Sequence, residues 1–252
     1  MENPTDVIVF IHGMTPKIDS FDWSSVYNAF WKKLCQSEPE LSSRALQKVF
    51  IQWGHPRSAS ENIDGTAAIQ MAQKNISELL YPPTSNFFAK IMKTIKGLGV
   101  VSRTKEKEYL LGLSDVIYAT SHLGSIAVLK EIESQFSNIA REGSQRVHFI
   151  THSFGVTLGF ELLTKFQEPG VWENCILGSF TSMASQLPIT LFKRPEWAHL
   201  FCDKNFKLSL SKYVKNQTSC IWNNFYDFHD ILGYPNQPLF LEDKWIIDYK
   251  VN

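Results

Sequence analysis

The stretch VHFITHSFGVTLGFELL (residues 147–163) combines the signals for a buried strand, a tight turn and a helix. Its first residues are mostly apolar, the turn is THSFG, and Val156, Phe160 and Leu163 then recur at helical spacing. A serine between a strand and a helix, with a glycine two residues later, is the pattern of a nucleophile elbow. Such a turn holds the serine hydroxyl where a substrate can reach it, and we therefore predict that Ser153 is a nucleophile.

The elbow departs from the usual pattern at one position. Thr151 stands two residues before the serine, where the pattern normally has glycine. Small neighbours are normally required because the chain reverses tightly around the serine. The five-residue match is informative here because a predicted strand and a predicted helix flank it.

Further apolar segments predict a parallel sheet covered by helices. Residues 6–11 are apolar on both faces of a predicted strand, which suits the middle of a parallel sheet. The other predicted strands cover 48–54, 175–183, 219–226 and 244–251. Amphipathic helices are predicted at 22–34, with Trp23, Val26, Phe30 and Leu34 on the apolar face, and at 124–140, with Ile126, Leu129, Ile132, Phe136 and Ile139. The predicted fold is an α/β three-layer sandwich around a mostly parallel sheet.

The first predicted strand runs into the tripeptide IHG (11–13), far upstream of the elbow. This arrangement resembles the α/β-hydrolase family, and the phrase GLSDVIY (112–118) looks like a stretch of uncharacterised bacterial members. The resemblance covers most of the chain. It implies a minimal α/β-hydrolase fold that begins at what is usually the third strand, without the two leading antiparallel strands.

The resemblance also implies which groups would stabilise the oxyanion in acyl transfer. In this family the backbone N–H after the His-Gly pair and the N–H after the nucleophile form the oxyanion hole. These positions correspond to Met14 and Phe154. His12 is expected to brace its loop by hydrogen bonding and not to serve as the catalytic base.

The catalytic acid of such hydrolases follows a late strand, often in an Asp-x-Val or Asp-x-Ile context. Asp230, followed by Ile231, matches this place best, and Asp227 is the alternative. Both residues are also of the type that forms turns without any catalytic role.

No histidine follows Asp230, although the triad order of this fold is serine, acid, histidine. Three explanations are open. The chain is a shortened pseudo-enzyme, a histidine from elsewhere (His229, His122 or His199) fills the place, or a partner chain completes the site. His152 is disfavoured because the residue before an elbow serine normally points away from the substrate.

Residues 56–122 form an irregular insertion ahead of the elbow strand. Helical pieces at 66–80 and 87–95 are separated by YPPTS. The insertion predicts either a helical cap or lid over the active site, or crossover helices with a long surface loop. In both cases we predict a single domain over residues 1–252.

Charge and composition exclude several classes of partner. Lys plus Arg equals Asp plus Glu at 25 each, so nothing suggests a nucleic-acid partner. The four cysteines form no C-x-x-C pair, and neither a metal site nor a cofactor is predicted.

No signal peptide or transmembrane segment is recognisable, which predicts a cytoplasmic location. The oligomeric state is not predicted by any of these features.

Two functions follow as hypotheses. The first is a serine hydrolase of esterase or lipase type, in which Ser153 attacks a carboxylic ester and Asp230 orients a histidine. The second is a non-catalytic α/β-hydrolase-fold protein that binds a small apolar ligand or a protein partner. The small-molecule ligand expected at the site is an ester or an acyl group. The absent C-terminal histidine is the feature that separates the two hypotheses.

Overall fold

The computed structural model describes residues 5–13, 23–44, 46–54, 119, 122–137, 145–165, 175–190, 222–227, 230, 233–241 and 243–251. The strands are β1 (Thr5–Ile11), β2 (Gln47–Ile51), β3 (Gln145–His152), β4 (Cys175–Met183), β5 (Trp222–Tyr226) and β6 (Ile246–Lys250). The helices are α1 (Trp23–Ser37), α2 (Glu40–Ser43), α3 (His122–Ser137), α4 (Phe154–Lys165) and α5 (Leu187–Thr190), with 3₁₀ turns at Gln237–Leu239 and Asp243–Trp245. Over these residues the strands form one parallel sheet in the order β2-β1-β3-β4-β5-β6. The predicted α/β class is confirmed.

The order of the strands reverses direction at β1. Strand β1 pairs with β2 on one side and with β3 on the other, so that Ile11 is in register with both Ile51 and Thr151. In parallel α/β sheets a crevice opens outside the carboxyl ends of the strands at such a switch point. The residues that follow β1 and the elbow that follows β3 therefore meet at the place where this architecture usually binds ligands.

One face of the sheet is packed with aromatic rings against α4. Phe180 lies 4.6 Å from Trp222 and 5.5 Å from Phe149 between ring centroids, and Phe160 of α4 lies 6.0 Å from Trp222. Burying each such side chain contributes roughly 1.5–3 kcal/mol. Every residue from Phe154 to Leu163 is buried, so this part of α4 is enclosed on all sides.

Helix α1 packs on the opposite face, and its main contact is Tyr27, which the predicted stripe left out. Tyr27 stacks on Phe50 at 5.0 Å and contacts Phe10 at 5.3 Å. Val26 and Phe30, which we predicted on the apolar face, are 46% and 37% exposed. The prediction is wrong for Val26, whereas the ring of the partly exposed Phe30 still lies 6.0 Å from that of Phe10. It followed the spacing within the helix and left out Tyr27, whose large ring buries more apolar area and stacks on its neighbours.

Helix α3 shows a similar shift of its buried row. Val128, Ile132 and Phe136, at successive intervals of four residues, are buried. Ile126, which we predicted on the apolar face, is exposed. The stripe prediction is therefore correct for the second half of this helix and wrong near its start.

The chain divides into two compact units. The first comprises Met1–Gly13, Asp22–Gln52 and Glu131–Asn252, and the second comprises Met14–Phe21 and Trp53–Lys130. The predicted insertion at 56–122 lies outside the described residues except for Ala119 and the backbone of His122. Among the described residues, no helix is long and apolar enough to cross a membrane.

A carboxylate on the edge strand ties the C-terminal part of the sheet to the loop before it. Asp248 accepts hydrogen bonds from Asn224 Nδ2 at 2.7 Å, from the Asn236 N–H at 2.9 Å and from the Gln237 N–H at 2.8 Å. Asn224 Nδ2 also donates to the Tyr234 carbonyl at 3.0 Å. Because charged acceptors make stronger hydrogen bonds than neutral ones, this carboxylate fixes the course of the loop.

We expect Asp248→Ala to lower the free energy of unfolding by about 2–3 kcal/mol, because several partly buried donors would lose their acceptor. Urea denaturation at neutral pH measures this change. Asp248→Asn keeps one acceptor oxygen and should cost less. Equal stability of the alanine variant and the wild type would contradict the assigned role.

Candidate active site

Ser153 occupies a strained turn between β3 and α4. Its φ of 54° lies in the left-handed region, which costs a non-glycine residue roughly 1–2 kcal/mol. The turn is held by hydrogen bonds from the Ser153 N–H to the Met183 carbonyl at 2.8 Å and from the Val156 N–H to the Ser153 carbonyl at 3.0 Å. This strand, strained serine and helix have the conformation expected of a nucleophile elbow.

Two glycines allow the elbow to pack against the end of β1. A Cβ atom on Gly155 would collide with the backbone oxygen of His12 and lie 2.6 Å from that of Ile11. A Cβ atom on Gly13 would lie 2.6 Å from the Cβ of Ser153. Only glycine at both positions lets the first turn of α4 approach the backbone after β1 this closely.

Thr151 fits where the pattern normally has glycine because the helix provides room for it. Its Oγ1 donates to the Thr181 carbonyl at 3.0 Å, so the buried hydroxyl is satisfied. Its methyl group Cγ2 lies 2.9 Å from the point that a Cβ on Gly159 would occupy. The space freed by the absent side chain on α4 thus accommodates the extra side chain on β3.

The hydroxyl of Ser153 accepts a hydrogen bond from a residue that the sequence analysis missed. Gln186 Nε2 lies 2.9 Å from Ser153 Oγ, and Gln186 is buried. No motif marks this glutamine. A positional signal was present, because it lies three residues after β4, and the ends of neighbouring parallel strands meet at one edge of the sheet.

Asp230 lies in the turn after β5, and its charge acts on the imidazole of His152, next to Ser153. Its N–H donates to the Asp227 carbonyl and its carbonyl accepts from the Gly233 N–H, both at 3.1 Å. Although the side chain of His152 retains solvent contact, partial desolvation lowers the pKa of its imidazole. The nearby Asp230 carboxylate favours the charged imidazolium and so raises this pKa. The charge of Asp230, the acid that the sequence favoured, thus acts on the histidine beside Ser153.

His12 makes a hydrogen bond to the backbone just after β1, the kind of contact expected of it. Its Nδ1–H donates to the Gly13 carbonyl at 2.8 Å, and the residue is 5% exposed. Burial lowers the pKa of His12 to about 4; the hydrogen bond to Gly13 opposes this shift, and the nearby His152 adds to it. The ring is therefore neutral at physiological pH.

Of the remaining predicted site residues, Phe154 lies within the described part of the chain. Phe154 is the first residue of α4 and is buried, and this end of a helix favours negative charge. Met14, His199 and His229 lie outside the described residues, and of His122 only its place at the start of α3 is described. Their predicted roles stay predictions.

Another serine, unlike Ser153, has an imidazole as its described hydrogen-bond partner. His148 Nδ1 lies 2.8 Å from Ser179 Oγ, and its Nε2 lies 3.4 Å from an oxygen of Asp6, which Arg146 approaches at 3.8 Å. Ser179 lies within β4, so it has neither a strained turn nor an adjoining helix start. This cluster satisfies polar groups on the body of the sheet and provides a matched control for the elbow serine.

Comparisons of the chain with models of known protein families, with curated protein sequences and with solved structures found no match. Within the part of the chain that the structure describes, no group of three His, Cys, Asp or Glu side chains is arranged to hold a metal ion.

We expect Gly155→Ala to destabilise the protein by about 1–3 kcal/mol, because the methyl group would be forced against backbone oxygens that cannot move aside. Helix propensity alone predicts the opposite sign, a gain of up to about 1 kcal/mol. Urea denaturation distinguishes the two, and a more stable variant would contradict the close approach described above.

Folding stability should fall in mild acid because of His12. Because the pKa of His12 is about 4 in the folded state, the unfolded chain binds more protons than the folded chain between about pH 6.5 and pH 4. The stability that neutral His12 contributes is therefore complete above that window and is lost as pH falls through it. The expected loss is about 3 kcal/mol. Urea denaturation at about pH 7.5 and pH 4.5 measures it. His12→Gln should flatten the dependence, and an unchanged slope in that variant would exclude His12 as its source.

Proposed function

We propose that this chain is a serine hydrolase of the α/β-hydrolase type that acts on a carboxylic ester, with Ser153 as the nucleophile. The observation that carries the proposal is the strained serine turn at the switch point of a parallel sheet. Strain of this kind is retained where function requires it. The same turn in a purely structural role would not need the hydroxyl group.

The proposed roles follow from the chemistry of acyl transfer. Ser153 Oγ attacks the ester carbonyl, and the N–H groups of Phe154 and Met14 bind the oxyanion. Asp230 orients the imidazole that takes the serine proton. That imidazole is either His152, on which the charge of Asp230 acts, or a histidine outside the described side chains, for which His122, His199 and His229 remain the candidates.

One observation favours the alternative of a non-catalytic binding protein. The hydrogen-bond partner described for Ser153 Oγ is the neutral amide of Gln186, which cannot take up a proton. Loss of the base from a serine triad costs many orders of magnitude, while the oxyanion hole and binding retain about 10³-fold over water. Such a protein would bind acyl groups and turn them over slowly.

Reaction with a fluorophosphonate probe tests the proposal. We expect one adduct on Ser153, located by peptide mass spectrometry, and hydrolysis of p-nitrophenyl acetate. Both should be lost in Ser153→Ala, because the attacking oxygen is removed. Ser179→Ala should retain both, because the His148 cluster lacks an elbow. An unlabelled wild-type protein that hydrolyses no ester would favour the binding-protein alternative.

A further inference from the structure

We propose that Gln186 is a catalytic residue whose side-chain amide stabilises Ser153 Oγ when that oxygen carries negative charge during acyl transfer. The inference rests on the proposed hydrolase function and deepens it. Gln186 Nε2 donates to Oγ at 2.9 Å, and only 6% of the residue is exposed. A buried donor aimed at a reacting oxygen exerts a stronger electrostatic effect than one in water, because fewer solvent dipoles screen it.

The backbone on both sides of this hydrogen bond is strained in the same way. Ser153, with a φ of 54°, and Ala184, with a φ of 51°, are the two non-glycine residues in the left-handed region among those the structure describes. Each follows the last residue of its strand, and β3 and β4 are neighbours. Such conformations cost roughly 1–3 kcal/mol each and cluster at functional sites. One turn presents the hydroxyl, and the other leads directly to the glutamine that contacts it.

The segment that carries Gln186 is fixed to the helix that follows the nucleophile. The Gln186 carbonyl accepts from the Thr190 N–H at 3.1 Å and from its Oγ1 at 3.0 Å. Thr190 Oγ1 in turn pairs with Thr157 Oγ1 of α4 at 2.6 Å, and both threonines are buried. The amide and the serine therefore belong to one connected structure.

Ser185 fixes the same segment from the other side. Its Oγ accepts from the Leu187 N–H at 3.3 Å and donates to Asn236 Oδ1 at 2.9 Å, while its carbonyl accepts from the Tyr234 N–H at 3.0 Å. Asn236 and Tyr234 belong to the loop that the Asp248 carboxylate holds. The donor is thus positioned before any substrate arrives, which is the condition for effective electrostatic stabilisation.

The steps of acyl transfer show when Oγ would carry the negative charge that this donor stabilises. In acylation the Oγ–H proton passes to the base, Oγ bonds to the carbonyl carbon, and the departing alcohol oxygen takes the proton. In deacylation a water oxygen attacks that carbon and its proton passes to the base. The bond to Oγ then breaks, its electron pair returns to Oγ, and the base returns the proton. Negative charge grows on Oγ from the acyl-enzyme to this last transition state.

A donor on Oγ therefore accelerates deacylation more than acylation. In the acyl-enzyme Oγ is an ester oxygen and a weak acceptor, whereas the departing alkoxide is a strong one, so the hydrogen bond strengthens toward the transition state. In acylation the free hydroxyl already accepts this bond before attack. A glutamine that only oriented the hydroxyl would instead affect attack by the serine and leave the decay of the acyl-enzyme unchanged.

The test compares Gln186→Met, which is similar in size but has no donor, with the wild type in p-nitrophenyl acetate hydrolysis. We expect turnover to fall about 10²-fold, as for loss of one oxyanion donor. At the same time the fraction of protein acetylated on Ser153, measured by acid quench and mass spectrometry during turnover, should rise. Gln135→Met is the matched control, because Gln135 hydrogen-bonds the backbone of Gln52 away from the site.

The outcomes separate the two proposals. Wild-type protein that forms no fluorophosphonate or acetyl adduct on Ser153 refutes the hydrolase function. If the wild type forms adducts but the turnover of Gln186→Met is unchanged, only the role of Gln186 is refuted. The same conclusion follows if the turnover of the variant falls without added acetylation. If Gln186→Met fails to fold, Gln186→Glu provides the test of the role of Gln186. Its ionised carboxylate has no donor, so turnover should fall, and acetylation rise, as pH is raised through the carboxyl pKa; an unchanged acetylated fraction overturns the inference.

Discussion

The close approach of the first turn of α4 to the backbone after β1 is the constraint on which the rest of the site depends. Gly155 touches the carbonyls that end β1, and Gly13 touches the serine itself, so neither position tolerates a Cβ atom. This contact forces the chain through the left-handed turn at Ser153. It also brings the serine turn to the switch point of the sheet, where Gly13 after β1 and Gln186 after β4 lie against Ser153. The strain is offset by the extensive burial of α4 behind it.

Most of the fold could be predicted because its signals are local. The apolar runs of β1 and β3 and the helical spacing after Ser153 depend on residues within one element, and the structure has all six predicted strands. The helix faces were harder to predict. Tyr27 is buried and Val26 exposed because stacking partners on the sheet decide which side of α1 turns inward, and spacing within the helix does not contain that information.

The site could be predicted only in part for a related physical reason. A nucleophile elbow is a contiguous motif, whereas Gln186 contacts the serine, and Asp230 acts on the neighbouring His152, through tertiary structure alone. Gln186 depends on a turn at Ala184 and on a network that extends through Ser185 and Asn236. Asp230 was predicted from its place after a late strand, which is a rule about the order of strands and not about contacts. The histidine that would complete the chemistry has no signal of either kind.

The fit between Thr151 and Gly159 has a consequence for how such elbows are recognised in other chains. The methyl group on β3 occupies room that the helix leaves by having no side chain at that point. The two positions should therefore vary together among relatives, with a larger residue on the strand tolerated only where the helix keeps a glycine. A sequence profile that demands glycine before the serine rejects chains of this type. One that scores the strand and helix positions as a coupled pair would retain them.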